Sequence, residues 1–352
     1  MIPQEKIEAV ARGLREAFGV TEFEDISRII GGHTASLVFR IIVRGSPYLL
    51  KIITRTEDPT RHYQSMRTAA DAGVAPRVWY TGIEDRISIT DFVMAETLPV
   101  STALIRLPAL LRTLHALPPF ARAPFNTTCT FLLHQGPALE IGPSAAGFPQ
   151  TFQASNTLPK AEGGEFFSRY AELAAVYPYE DAEMVSSHND LFKPDNILYD
   201  GRRVWLVDWE AAFLNDRYAD LAVAANHVVT NEEEETVFLR EYFGAAPHPY
   251  QQARFYLMRQ IAHLFYAMAY LTLGSSAQPV DWTVPVPGFR DFHSRMWAGE
   301  VDLTDRNVKI VYGRVHWEQF RRNVREARYK DALSIVSMGQ TAGRGRVPDV
   351  KI

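Results

Sequence analysis

Two neighbouring stretches of the sequence hold the side chains whose types and spacing best suit chemistry. Residues 186–198 contain Asp190 and Asn196, and residues 204–210 form an apolar run that reaches Asp208. An aspartate and an asparagine in one loop, followed by an aspartate at the end of a buried strand, supply oxygen ligands of the kind Mg²⁺ prefers. They also supply a carboxylate that can aim a hydroxyl group at phosphorus. Phosphoryl transfer depends on such positioning and on charge balance, because its transition state is loose.

Each of these groups receives a predicted role. Asp190 is expected to contact the substrate and to orient its hydroxyl, and it is a weak base because an aspartate pKa lies about three units below neutral. Asn196 and Asp208 are predicted metal ligands, with Asp195 as the alternative to Asn196. Glu210 is predicted to be a further metal or substrate ligand, and a solvated strand-end carboxylate is its alternative.

Four more residues, within or soon after the two stretches, are candidates for the site. His188 is counted with the catalytic group and is expected to hold the loop by hydrogen bonds rather than to transfer protons. Lys193 would steady a phosphate, or else is a solvated loop lysine. Asp216 is a candidate substrate contact. Asp220 is expected to accept backbone hydrogen bonds from the loop, with substrate contact as the alternative.

Three motifs in order, His188-Asn189-Asp190, Asn196-Ile197-Leu198 and Asp208-Trp209-Glu210, resemble a known catalytic signature. It is that of the choline/ethanolamine kinase and aminoglycoside phosphotransferase superfamily, and the first and third motifs are most similar to choline/ethanolamine kinases. The resemblance covers roughly residues 25–275. It implies a protein-kinase-like fold, with ATP as phosphate donor and Mg²⁺ as cofactor.

The spacing of the loop departs from that family. Asn196 follows Asp190 by six residues, where the family pattern has five. The Pro194-Asp195-Asn196 ending keeps the usual Pro-x-Asn order, and proline fixes the local backbone path. We therefore prefer Asn196 to Asp195 as the ligand.

The nucleotide side is predicted from the first hundred residues. Lys51 lies in an apolar run, where a lysine is costly unless its charge is matched, and it resembles the strand lysine that binds the α- and β-phosphates. Two further segments are candidates: the glycine-rich turn over residues 31–36, which lacks a Walker motif, and the end of a strand-like run at residues 91–93, which would be the hinge between the lobes. The alternative for the turn is a plain hairpin, and the alternative for the hinge is a buried strand. The predicted cofactor-binding residues are Lys51, Gly31, Gly32, Thr34 and Ser36 at the phosphates, and Asp91 and Val93 at the hinge touching adenine.

One expected partner of Lys51 is missing from the sequence. In the resembling kinases a glutamate on the next helix pairs with this lysine, and the register counted back from Gly73 puts Gln64 there. Glu57 and Asp58 lie earlier in the chain and are the possible substitutes.

The pattern of elements predicts an α+β fold with two lobes. Residues 1–95 would form a nucleotide-binding N-lobe with a leading helix and about five strands, and residues 96–336 a mostly helical C-lobe that carries catalytic and substrate groups. Residues 337–352 are polar and glycine-rich, which predicts a flexible tail. Residues 121–164 give little information.

Composition limits the partners and the compartment. The net charge of −4 lacks the basic surplus of nucleic-acid binders. A single cysteine excludes a disulfide within the chain, and no run is long enough to span a bilayer. We therefore expect a cytoplasmic protein that binds a small molecule and neither nucleic acid nor membrane. The sequence allows a homodimer without fixing the oligomeric state.

The acceptor is predicted to be a small amino alcohol such as choline or ethanolamine. Aromatic faces beside carboxylates attract ammonium groups, and several aromatic residues follow the acidic segment, although core packing is the alternative for each. These aromatic residues are Tyr256, Phe265, Tyr266, Tyr270, Trp282 and Trp297. An aminoglycoside or another small-molecule acceptor is the second reading, and a catalytically inactive nucleotide-binding protein is the third.

Overall fold

The N-lobe is built on one antiparallel sheet of five strands. The computed structural model describes residues 2–29, 36–122, 152–153, 155, 157–178, 184–192, 194–275 and 280–341. The N-lobe elements are α1 (Ile7–Phe18), β1 (Asp25–Ile29), β2 (Ser36–Val43), β3 (Ser46–Ile53), α2 (Thr60–Asp71), β4 (Val78–Gly82) and β5 (Ile87–Asp91). The sheet order is β1-β2-β3-β5-β4.

The two faces of this sheet have different surroundings. Leu50 and Ile52 of β3 are fully buried and pack in a core that includes Leu14 of α1. Because successive side chains on a strand point to opposite faces, Lys51 between them faces away from α1. Its register partner on β5 is Ser88. The alternation therefore presents the lysine on the opposite face of the sheet.

The C-lobe follows a linker of residues 92–99 and consists mainly of helices. Its helices are α3 (Val100–His115), α4 (Lys160–Val176), α5 (Arg217–Val228), α6 (Glu232–Phe243), α7 (Pro249–Ser275), α8 (Phe289–Trp297), α9 (Arg306–Asn323) and α10 (Ala327–Thr341). Its strands are β6 (Met184–Ser187), β7 (Ile197–Tyr199), β8 (Val204–Leu206) and β9 (Phe213–Asp216), paired β6 with β9 and β7 with β8.

Helix α7 is the centre of the C-lobe core. Most of its residues are buried, so it is apolar on nearly all sides and needs neighbours all round. Helix α9 approaches it very closely at Gly313, where an added Cβ would lie 2.8 Å from the backbone nitrogen of Leu271. Glycine at this position permits the contact because it has no side chain.

Two details differ from expectation. Strands β6 and β9 have four residues each and were not predicted, because so short a run carries little periodicity. Helix α10 continues to Thr341, so the first five residues of the expected tail are helical, and the remainder lies outside the described residues. Among the described residues, no helix has the length and apolar character needed to cross a bilayer.

Four histidines meet in the C-lobe interior, on α5, α7, α8 and α9. His263 Nδ1 and His316 Nδ1 are 3.0 Å apart, so at most one of the two nitrogens carries the shared proton. The ring of His293 is 4.9 Å from that of His227. Burial lowers the pKa of His227 to about 3 and holds the pKa values of the other three well below their usual range. All four are therefore neutral in the folded chain.

This cluster predicts loss of stability in mild acid. The unfolded chain binds protons at these residues as pH falls through 6.5, whereas the folded chain does not. The contribution of the four neutral histidines to the free energy of unfolding is therefore fully present above pH 6.5 and is lost progressively below it. Each histidine removes up to about 1.4 kcal/mol of unfolding free energy per pH unit below that point. Urea unfolding between about pH 7.5 and about pH 5.5 measures this loss of unfolding free energy. The control is a variant of an exposed histidine, His248→Gln, which should keep the same dependence of unfolding free energy on pH. A stability that stays constant over this range would contradict the prediction.

Candidate active site

The loop after β6 is held in place by one buried carboxylate. Asp220 of α5 is 1% exposed, and its two oxygens accept the backbone N–H groups of His188 (2.7 Å) and Asn189 (2.8 Å). His115 Nε2 lies 3.3 Å away. Burial alone would raise the pKa of Asp220, but the hydrogen bond from His115 and the other contacts outweigh it and lower the pKa. The predicted loop-holding contacts of Asp220 are confirmed.

His188 connects this loop to the end of β8. Its Nε2–H donates to the carbonyl of Val207 at 2.9 Å, which leaves Nδ1 to accept the backbone N–H of Asp190 at 3.3 Å. The ring is fully buried and lies 4.8 Å from that of Trp209. Both nitrogens are used within the protein, which agrees with the predicted holding role and not with proton transfer.

Asn189 is a loop-holding residue to which the sequence analysis assigned no role. Its backbone is left-handed, with φ of 64°, a conformation that asparagine tolerates better than most residues. Its Nδ2 lies 3.1 Å from the carbonyl of Ala211 and 3.3 Å from that of Phe213, and its Oδ1 accepts from Asn215. The side chain therefore links the two chemical stretches, and its position inside the His-x-Asp motif was the available signal.

The structure brings Asp190 and Asn196 together. Asn196 Nδ2 donates to the Asp190 carbonyl at 2.7 Å and to its Oδ2 at 2.9 Å. Asn196 is 4% exposed, whereas Asp195 is exposed, and a turn of 3₁₀ helix over Pro194–Asn196 absorbs the extra residue. Both hydrogen bonds to Asp190 use the amide nitrogen of Asn196, so its amide oxygen is the atom that could bind a metal. Lys193 lies outside the described residues.

Asp208 lies beside that pair and in contact with the N-lobe. The backbone N–H of Val207 donates to the Asn196 carbonyl at 3.0 Å, so Asp208 directly follows a residue bonded to Asn196. Lys51 Nζ donates to Asp208 Oδ1 at 2.9 Å and lies 3.0 Å from Glu210 Oε1. The carboxylate oxygens of Asp208 and the amide oxygen of Asn196 are chemically suited to Mg²⁺.

Two further N-lobe cations contact the same segment, and neither was predicted. Arg55 pairs with Glu210 Oε2, and Arg61 of α2 donates to the backbone carbonyls of Glu210 and Ala212. Isolated arginines in a loop and a helix give no sequence signal for such long-range contacts. The predicted Gln64 position is wrong, because Gln64 is exposed, whereas His62 on the same helix is buried.

Asp216 does not face the site, so its predicted substrate contact is wrong. Its side chain is fully buried and accepts from the Tyr177 hydroxyl at 2.8 Å, from Arg254 at 3.1 Å and from the Tyr218 backbone N–H at 2.9 Å. The last of these bonds caps the N-terminus of α5. The closeness of Asp216 to other acidic residues in the sequence suggested that they form one cluster. In the structure Asp216 is the last residue of β9, and its side chain lies in the core.

The predicted nucleotide residues are only partly described. Gly31, Gly32 and Thr34 lie outside the described residues. The buried hydroxyl of Ser36 has no hydrogen-bond partner among the described residues, and its contact with a phosphate stays a prediction.

Asp91 and Val93 mark the predicted hinge. Asp91 Oδ1 accepts the indole N–H of Trp79 at 2.7 Å, so the side chain braces β4 against β5. Val93 is half-buried and follows in the linker. Contact of these two residues with adenine stays a prediction.

Aromatic side chains surround the loop on the C-lobe side. Phe192, two residues after Asp190, has its ring centroid 5.1 Å from that of Tyr266 and 5.8 Å from that of Tyr270. Burial and the negative charge of Asp190 both raise the pKa of Tyr270, so this ring lies near the carboxylate. Of the predicted aromatic residues, Trp282 and Trp297 instead donate to distant backbone carbonyls.

Comparison with known proteins agrees with this geometry. Residues 25–256 match the family model of the phosphotransferase enzyme family. No curated protein matches the chain in sequence. The predicted resemblance is confirmed by the family match, which covers both chemical stretches and β1 to β5.

Solved structures show the same fold. A choline/ethanolamine kinase family protein from Mesorhizobium loti is 18% identical, with a TM-score of 0.64 over 94% of this chain and 99% of its own. A choline kinase from Cryptosporidium parvum is 13% identical, with a TM-score of 0.57 over 96% and 99%. An ADP-bound aminoglycoside phosphotransferase is 13% identical, with a TM-score of 0.54 over 86% and 99%. The two-lobed, kinase-like α+β fold is confirmed.

The loop geometry predicts which residue binds the metal. Asn196→Ala should raise the Mg²⁺ concentration needed for nucleotide binding by at least about tenfold, because it removes a buried ligand oxygen. Asp195→Ala should change that requirement much less, since its side chain is exposed. Mg²⁺ titration of nucleotide binding by calorimetry measures both. A larger effect of Asp195→Ala would reverse the assignment.

Proposed function

The chain belongs to the phosphotransferase enzyme family, and from that premise we propose that it transfers the γ-phosphate of ATP to the hydroxyl group of a small amino alcohol. One observation supports this most strongly. Lys51 from the N-lobe meets Asp208 from the C-lobe, next to the Asp190–Asn196 pair. A cation, oxygen atoms that could bind a metal and a carboxylate that could orient an acceptor therefore lie together where the lobes meet, and γ-phosphate transfer requires this combination.

Lys51, Ser36 and the linker backbone would hold the nucleotide. The Lys51 ammonium is suited to the α- and β-phosphates, since its donors lie at the cleft and its charge offsets theirs. Asn196 and Asp208 would hold Mg²⁺, which supplies charge neutralisation and orientation at the phosphates when bound.

Asp190 would align the acceptor hydroxyl and receive its proton. Its Oδ2 accepts a hydrogen bond from Asn196 Nδ2, which fixes the rotation of the carboxylate. His188 holds the backbone N–H of the same residue. The carboxylate is therefore oriented before the acceptor arrives, and this lowers the entropic cost of alignment.

The aromatic group Phe192, Tyr266 and Tyr270 supports a cationic acceptor. An ammonium group over desolvated aromatic faces gains about 0.5–2 kcal/mol per contact, and the nearby Asp190 adds attraction. Two of the similar structures are of choline or choline/ethanolamine kinases, and another is of an aminoglycoside phosphotransferase. The aromatic group favours a compact amino alcohol over a large acceptor with several hydroxyl groups.

Asp190→Asn is predicted to lower kcat by about 10²–10⁴-fold, because alignment and proton acceptance are lost. Nucleotide affinity should change little, since the metal ligands and Lys51 remain. Steady-state turnover and ADP binding are measured on the purified variant. Exposed Asp331→Asn is the control. Near-normal turnover of a folded Asp190→Asn protein would remove Asp190 from the mechanism.

The acceptor charge is tested with a neutral isostere. Choline should have a kcat/KM at least about tenfold above that of 3,3-dimethylbutan-1-ol, in which carbon replaces the ammonium nitrogen. Phe192→Leu should reduce this ratio, and Phe243→Leu, a half-buried phenylalanine on α6, should not. Ethanolamine and kanamycin are compared under the same conditions. If kanamycin or neutral sugars are preferred by more than about tenfold, the amino-alcohol proposal fails while the kinase proposal stands.

A further inference from the structure

We infer that Glu210 is the positioning partner of Lys51, and that it takes the part played by a helix glutamate in the kinases this chain resembles. The inference rests on the proposed function. It also revises the predicted role of Glu210, which was that of a metal or substrate ligand.

Helix α2 offers Lys51 no carboxylate. Its only acid, Asp71, is the last residue of the helix. Gln64 is exposed, and the buried His62 has its pKa lowered to about 3, first by burial and next by the positive charge of Lys51. A neutral histidine cannot balance the ammonium, so the charge must be matched from elsewhere.

Glu210 supplies that charge from the C-lobe. Its Oε1 lies 3.0 Å from Lys51 Nζ and is buried, with no aligned hydrogen bond to any described residue. The contact is therefore an ion pair that holds the ammonium without saturating its donors. Glu210 is 17% exposed and Lys51 12% exposed, so solvent screens the pair only weakly.

The other atoms of Glu210 are already engaged. Its Oε2 pairs with Arg55, and its backbone carbonyl accepts from Arg61 at 2.7 Å. Arg55 thus holds the carboxylate and Arg61 holds the backbone of the same residue, which disfavours movement of the side chain toward a metal. Asp208 is the proposed metal ligand, so Glu210 is the acidic partner that remains for Lys51.

A double-mutant cycle tests the inference. Lys51→Met and Glu210→Gln should each lower kcat/KM for ATP by about ten- to a hundredfold, because a phosphate-binding group is lost or misplaced. The kcat/KM of the double variant should be within about twofold of that of the worse single variant, because the two changes remove the same function. Glu210→Gln should leave the half-saturating Mg²⁺ concentration unchanged. Exposed Glu84→Gln is the matched control.

Two results would overturn the inference. Multiplicative losses in the double variant would show that the two residues act independently. A raised Mg²⁺ requirement in Glu210→Gln, like that of Asp208→Ala, would make Glu210 a metal ligand. If Glu210→Gln fails to fold, the same cycle is run with Glu210→Asp. Absence of Mg²⁺-dependent ATP turnover in the unchanged chain would overturn the proposed function and this inference together, whereas turnover with multiplicative losses overturns the inference alone.

Discussion

The ion pairs between Lys51 and the Asp208-Trp209-Glu210 segment are the interaction on which the rest of the structure depends. They join the sheet of the N-lobe to the C-lobe through side chains that are 12–18% exposed. Partly buried charges are stable only when paired, because desolvation penalises each of them alone. The same pairing joins the two lobes and brings together the charges that a nucleotide with Mg²⁺ would meet in the proposed function.

A second constraint acts on the loop that faces this cluster. One buried carboxylate, Asp220, accepts two successive backbone N–H groups of the loop, and Asn189 links the loop to the segment after Asp208. These contacts fix the backbone that precedes Asp190. Rigid support of this kind lowers the entropic cost of aligning a hydroxyl group, which is the role proposed for Asp190.

Much of the fold and the centre of the site could be predicted from sequence. A lysine within an apolar run pointed to Lys51, and the two motifs pointed to Asp190, Asn196 and Asp208, because these signals are local. Local patterns cannot report how β9 turns Asp216 inward or which cations reach Glu210. The register of α2 failed for the same reason: Gln64 was chosen by counting, whereas helix rotation against the cleft decides which side chain is buried.

The most direct test of this account is a crystal structure of the chain with Mg²⁺ and a non-hydrolysable ATP analogue. The account predicts that the nucleotide lies between the lobes, with Lys51 Nζ on an α- or β-phosphate oxygen and with Asp208 and Asn196 on the metal. A structure in which the nucleotide is bound elsewhere, or in which the Lys51 amine points to solvent, would contradict it.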